Sequence, residues 1–255
     1  MSFELIDAMG NRHQPVSAAP RIVSLVPSLT ELACDLDLTE YLAGRTGFCI
    51  HPREALKNIP KVGGTKDVAI GKVRELAPTH LLVNIDENRR EAVEQMAQFV
   101  PHVIVTHPLK PEDNHDLYQL FGGIFCREPQ ALALARRLTG AFSELRRAVR
   151  GLPRENVLYL IWKDPWMSVA RDTYIAATLA AAGWDTLPLE NALRYPVIDM
   201  NEAWLRDVDR VLLSTEPYSF REKHLAEIAA IPALQGKPIQ LIDGEMTSWY
   251  GSRAR

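Results

Sequence analysis

Residues 128–150 restrict the architecture more than any other part of the chain. The only glycine in this stretch is Gly140 and the only proline is Pro129, which sits at a first-turn position where a missing N–H is harmless. Leu134, Leu138, Phe142, Leu145 and Val149 follow one another at spacings of four, four, three and four, so they share one helical face. About 23 residues rising 1.5 Å each make a rod of roughly 35 Å. A mid-chain rod of that length can cross two small lobes.

On both sides of it, short apolar runs alternate with helical patterns. Residues 21–25 are β-branched and apolar and run into Pro27, which suits a buried strand. Ser28-Leu29-Thr30-Glu31 then has the form of a capping box and predicts a helix beginning at Ser28. Further along, 71–76 is helical, 81–84 a strand, 87–99 an amphipathic helix and 102–106 a strand. Beyond Gly151-Leu152-Pro153 the alternation resumes, with strands at 157–161, 210–213 and 238–242 and helices at 173–182, ended by Gly183, and 220–230. Such alternation specifies an α/β fold with mainly parallel sheets. The expected organisation is an amino-terminal α/β lobe over 1–125, a helix over 126–150 and a carboxy-terminal α/β lobe over 151–255.

Composition narrows the function. A chain of 255 residues, 47% hydrophobic and 24% charged, builds real cores. A net charge of −3 with no basic stripe argues against a nucleic-acid partner. No apolar run approaches the ~18 residues that span a bilayer. The opening residues carry acids where a signal peptide needs a basic and then an apolar stretch. The chain as written is therefore expected in the cytoplasm, or in the periplasm if the native start lies upstream. Cys34, Cys49 and Cys126 are odd in number and lack CxxC spacing, which indicates neither a disulfide framework nor a zinc knuckle.

The candidate site residues follow predicted strands, where open α/β sheets bind ligands. Phe48-Cys49-Ile50-His51 places a ring, a thiol and an imidazole together, and Cys49 and His51, two apart, suit a shared metal. The same residues also suit a loop with one buried thiol and one solvated imidazole. Trp162-Lys163-Asp164-Pro165-Trp166 offers an apolar wall of two indoles, Glu216 follows the strand at 210–213, and Tyr195 is a further candidate contact. Trp249-Tyr250-Gly251-Ser252-Arg253 adds a third aromatic group with a guanidinium suited to a carboxylate or phosphate. His80, His102, His107 and His115 lack metal-site spacing and read as surface or strand-end residues. Gly63-Gly64-Thr65-Lys66 lacks the rest of a P-loop and reads as a tight turn. No GxSxG or HExxH motif is present, so the expectation is a binding protein rather than an enzyme.

The segment PRIVSLVPSLTE at 20–31, the block GGTKDVAIGKVRELAPTHLLV at 63–83, the long helix and the strand beginning at Arg210 together resemble the class III substrate-binding proteins. These helical-backbone metal receptors include the vitamin B12-binding and siderophore-binding proteins of ABC importers. The resemblance covers nearly the whole chain and implies two Rossmann-like lobes joined by one backbone helix, with a metal chelate gripped between them. Cobalamin or a related corrinoid is the leading ligand, with a siderophore or haem as alternatives and no intrinsic cofactor. A cytoplasmic metallochaperone or chelate-processing enzyme working through Cys49 and His51 is the competing reading. The resemblance further implies an ABC permease partner met by one glutamate on each lobe. Glu202 matches that position in the second lobe, whereas the first lobe carries Arg90, with Glu87 and Glu91 beside it. The corrin-holding tyrosines of the B12-binding members are replaced here by Phe48 and its neighbours, and the family's terminal helix would follow Arg253, two residues before the printed end.

Overall fold

The computed structural model describes residues 4–189 and 192–254. The first sheet is built from β1 (Ile22–Ser24), β2 (Leu42–Arg45), β3 (His80–Asn84) and β4 (His102–Thr106), in the order β2-β1-β3-β4. The second is built from β5 (Glu155–Leu160), β6 (Trp184–Thr186), β7 (Arg210–Ser214) and β8 (Ile239–Ile242), in the order β6-β5-β7-β8. Every strand pair in both is parallel. The helices are α1 (Pro27–Asp35), α2 (Arg53–Leu56), α3 (Ile70–Glu75), α4 (Arg90–Ala97), α5 (Asn114–Phe125), α6 (Glu128–Ala148), α7 (Tyr174–Ala181), α8 (Glu222–Ala229) and α9 (Gly244–Ser248). None among the described residues is long and apolar enough to cross a membrane.

The chain divides into two compact units. One holds residues up to Pro108, Glu112–Thr139 and those from Tyr250 onward; the other holds Leu109–Pro111 and Gly140–Trp249. The division falls inside α6, which runs unbroken over 21 residues. Of its predicted apolar face, Leu134 and Leu138 are buried and Phe142, Leu145 and Val149 partly so.

Parallel sheets are covered on both faces, and the strand sequences show why these sheets can be. In the second unit Leu158 and Leu160 join a core with Val211, Leu213, Phe220 and Ile228, while Val157, Tyr159 and Ile161 enter another with Val169, Leu179 and Leu212. Alternate residues of one strand thus feed two cores. In the first unit Val23, Leu25, Leu81 and Val83 pack with Val62, Val73, Met96 and Val100.

Three local departures from expectation have clear causes. Helix α1 starts at Pro27 with extended Val26 before it, and no side chain caps it. Proline's fixed φ makes it the first helical residue, so Ser28 lies inside the helix and the capping box does not form. Glu31 instead accepts from Arg253 Nε at 2.7 Å. Helix α4 begins only at Arg90 because Asn88 is engaged elsewhere: its Oδ1 accepts from Asn84 N at 2.9 Å and its Nδ2 donates to Leu25 O and Thr65 O. The third departure is α5, whose periodicity is masked by Gly122 and Gly123. A Cβ on Gly122 would stand 2.6 Å from Ala131 Cβ, and one on Gly123 2.4 Å from a Leu5 methyl, so both glycines permit close packing.

Histidines 80 and 102 are register partners on β3 and β4, and their rings stack with centroids 4.7 Å apart. His80 is 6% exposed and meets Phe125 edge-on. Burial first, then the nearby His102 and His13, lower its pKa to about 4. The unfolded chain therefore takes up this proton near the ordinary histidine value of 6.5 while the folded chain resists until about 4, so stability is lost as pH falls through that window. His80→Gln is expected to lose less stability than the parent between about pH 7 and about pH 4.5 in urea unfolding. Equal losses in the two proteins would contradict the assignment.

Candidate functional site

Because the strands of each sheet run one way, every loop leaving a strand's carboxyl end reaches the same edge of that sheet, and ligand sites of open α/β folds lie at such edges. In the first unit, residues 46–52 follow β2. Phe48 and Ile50 are 63% and 50% exposed, His51 is half-buried, and Cys49 between them is fully buried. Its Sγ lies 3.0 Å from Thr30 Oγ1 and 3.1 Å from Thr46 Oγ1. Buried Arg45 ties the loop down from beneath, donating through Nε to Leu56 O and through Nη1 to Thr46 O and Cys49 O. Burial pushes the Cys49 thiol up. Cys49 is thus a sealed packing residue, and its expected pairing with His51 as a metal ligand is withdrawn, since a ligand needs an accessible thiolate. Among the described residues, no group of three or more His, Cys, Asp or Glu side chains is disposed to hold a bare metal ion.

The register of β3 and β4 brings two further polar groups to this edge. His107 Nε2 is 3.5 Å from Asp86 Oδ2, and Lys66 Nζ donates to Asp86 O at 2.6 Å. Sequence spacing carries no sign of this pairing.

Tyr250 and Arg253 also serve packing. Tyr250 is 5% exposed and its hydroxyl donates to Glu87 Oε1 at 2.9 Å. Burial, with the Glu87 charge behind it, raises this phenol well above the usual range. Gly251, at φ +77°, donates its N–H to Asn114 Oδ1, and its carbonyl accepts from Tyr118 at 2.8 Å. The predicted ligand guanidinium of Arg253 is held by Glu31.

In the second unit the loop after β5 presents Trp162, 41% exposed, and half-buried Trp166. Trp162 meets Tyr218 edge-on at 5.6 Å, Tyr218 tilts against Phe220 at 4.7 Å, and Trp166 stacks on Phe220 at 6.1 Å. Lys163 pairs with Glu227 at 2.6 Å and lies 5.6 Å from the Trp166 ring centre. Tyr218, which follows a strand in Glu216-Pro217-Tyr218 and is expected there to rim a binding site, is joined by Phe220 and His224, which no sequence motif signals. Glu216 and Trp249 bond each other, with the indole Nε1 donating to Oε1 at 2.6 Å while Ser248 Oγ donates to the same oxygen at 3.1 Å. Burial raises the Glu216 pKa. Trp249 is only 7% exposed, and Tyr195 packs against the core containing Val157 and Tyr159. Glu202 is exposed and accepts from Trp204 Nε1 at 2.7 Å, and exposed Arg90 pairs with its own-helix neighbour Glu94 at 2.7 Å.

One surface property stands out from these details. Many of the large exposed apolar side chains among the described residues lie on segments that follow strands, such as Phe48 and Ile50 after β2, Ile85 after β3, Trp162 after β5 and Met246 after β8, while Ile6, Met9, Leu132 and Leu152 are exposed elsewhere.

A family model described as periplasmic binding protein matches residues 22–238. A vitamin B12-binding protein of Photorhabdus laumondii is 20% identical over 202 residues, covering 79% of this chain and 73% of that protein. The periplasmic vitamin B12 binding protein BtuF of Vibrio cholerae superposes with a TM-score of 0.80 at 16% identity over 92% of both chains. The periplasmic heme-binding protein RhuT from Roseiflexus, in its apo form, gives 0.78 at 21% identity over 92% of this chain and 94% of that one.

The sealed loop generates a chemical expectation. A colorimetric thiol reagent added to native protein should react quickly with exposed Cys126 and reach Cys49 only after denaturation. Rapid native modification of Cys49, mapped by peptide mass, would restore it as an accessible group.

Proposed function

We propose, from the premise that this chain belongs to the periplasmic binding protein family, that it is a substrate-binding component for a tetrapyrrole-type metal chelate, either a cobalamin-like corrinoid or a haem. The observation that carries this reading is the exposure of Phe48, Ile50 and Trp162 on loops that leave the carboxyl ends of β2 and β5. Soluble proteins rarely leave large apolar groups together in water without a ligand or partner to cover them, and small-molecule sites are mostly apolar with few polar groups. A macrocycle with broad faces and a polar rim fits such a lining better than a compact hydrophilic chelate does. The B12-binding and heme-binding names of the similar proteins point the same way.

In this reading each unit offers its own exposed apolar surface, Phe48 and Ile50 in the first and Trp162 and Trp166 in the second, and His51 is the remaining candidate donor to the chelate's metal. Glu216, Trp249, Tyr250 and Arg253 are each bonded to protein groups and hold their own segments in place. Glu202 is the carboxylate that meets an ABC permease. The enzyme or metallochaperone alternative required an accessible Cys49 thiol and loses its support with that residue's burial.

Visible absorption titration with cobalamin, cobinamide, haem and ferric siderophores tests the reading. Saturable binding of a tetrapyrrole is expected, and siderophore binding alone would overturn it. Trp162→Ala should weaken the bound tetrapyrrole about ten-fold without moving its bands, because an indole contributes area and stacking rather than coordination. His51→Ala should shift the bands if imidazole ligates the metal; weaker binding with unmoved bands would reduce His51 to an edge contact.

A further inference from the structure

We propose that Tyr218 is the hydrogen-bond donor by which the second unit recognises an acceptor oxygen on the rim of the bound chelate, and that His224 is the positioning residue that commits Tyr218 to this role. The inference rests on the tetrapyrrole reading and adds to it the polar contact that fixes how the macrocycle sits.

Tyr218 lies four residues beyond the end of β7, half-buried, with its backbone N–H donating to Ile161 O at 3.3 Å. Its ring is held by Trp162 on one side and by Phe220 and His224 on others. The phenol therefore has a fixed place beside the indole that offers most apolar surface in that loop.

The decisive detail is the protonation of His224, which is 3% exposed in the first turn of α8. The backbone N–H of Arg221 donates to His224 Nδ1 at 2.9 Å. A backbone amide can only donate, so Nδ1 carries no proton. The ring is then neutral, with its hydrogen on Nε2. Nε2 lies 3.5 Å from Tyr218 Oη, a long contact in which the imidazole is the donor and the phenol oxygen the acceptor. With one lone pair of the oxygen engaged in this way, the phenol's own hydrogen turns elsewhere, and His224 is the one side-chain hydrogen-bond partner of Tyr218 Oη among the described residues. Reversing the tautomer would break the Arg221 bond and let Tyr218 spend its hydrogen on His224. The backbone of α8 thus makes Tyr218 an outward donor.

The complementary ligand group is an oxygen acceptor at the edge of a macrocycle whose face lies on Trp162. A porphyrin propionate and a corrin side-chain amide both qualify, and the test separates them. Titrations with haem, with dicyanocobinamide and with iron octaethylporphyrin, which has no acceptor on its rim, are compared for parent and Tyr218→Phe. The variant is expected to lose about ten-fold in affinity for a propionate acceptor, or a few-fold for an amide acceptor, and under two-fold for octaethylporphyrin. His224→Gln should weaken the acceptor-bearing ligand in the parent but add little in the Tyr218→Phe background. In the ligand-free protein, long-range proton–nitrogen spectra should show His224 protonated at Nε2 and not at Nδ1, a signature that a purely packing role would leave open. Parent protein that binds a tetrapyrrole while Tyr218→Phe binds it equally well overturns this inference alone, as does the opposite His224 tautomer. Parent protein that binds none of the three chelates overturns the tetrapyrrole reading itself and the recognition role with it.

Discussion

Two sheets of parallel strands, each covered on both faces, impose the constraint on which the rest of this structure depends. Parallel pairing requires a crossover between successive strands, so the chain leaves every strand at one edge and returns on a covering face. The interior strands consequently become nearly continuous apolar runs, as at Leu81, Leu82 and Val83 and again at Val211, Leu212 and Leu213, all at most 1% exposed. A polar group inside such a sheet needs partners at once. Tyr159, fully buried on β5, finds Ser214 Oγ at 2.9 Å and Thr247 Oγ1 at 2.6 Å. Everything chemically adjustable is left to the loops at the carboxyl edges.

The same need for partners explains why several residues with the right chemistry for ligand binding serve packing instead. A buried thiol, phenol, guanidinium or carboxylate costs more unpaired than its bonds return when paired, so each is matched within the protein. Cys49 sits among Thr30 and Thr46, Tyr250 bonds Glu87, Arg253 bonds Glu31, and Glu216 takes the Trp249 indole. These pairs hold their own segments in place. Arg45 is the clearest instance, since its guanidinium holds three carbonyls of 46–56 from below and leaves Phe48 and Ile50 facing water.

Legibility in the sequence followed the range of the interactions. The strand at 102–106 agrees with β4 residue for residue, and Thr173 caps α7 by accepting from Ala176 N at 3.2 Å. Both are local: a β-branched run in one case and a hydroxyl three residues from its donor in the other. Helix α5 was obscured because its glycines answer to Leu5 and Ala131, outside the helix. The terminal aromatic group reads from its sequence as ligand-binding, while its hydrogen-bonding partners are remote, with Glu87 163 positions from Tyr250 and Glu31 222 positions from Arg253. Composition and spacing signal that an aromatic residue will be buried; they carry no information about which distant carboxylate will meet it.

On the proposed binding role, the aromatic group of the second unit would serve both stability and recognition. Its rings form a series in depth: Phe220 is 2% exposed, Trp166 and Tyr218 are half-buried, and Trp162 is 41% exposed. Phe220 touches both Trp166 and Tyr218, and its own burial is part of the core containing Leu158 and Leu213. The deepest ring therefore fixes the position of the next two, and these limit the motion of the outermost. An outer indole held this way loses little rotamer freedom when a ligand covers it, so more of the apolar area it buries appears as affinity. A flexible surface tryptophan of equal area would spend part of that gain on becoming ordered.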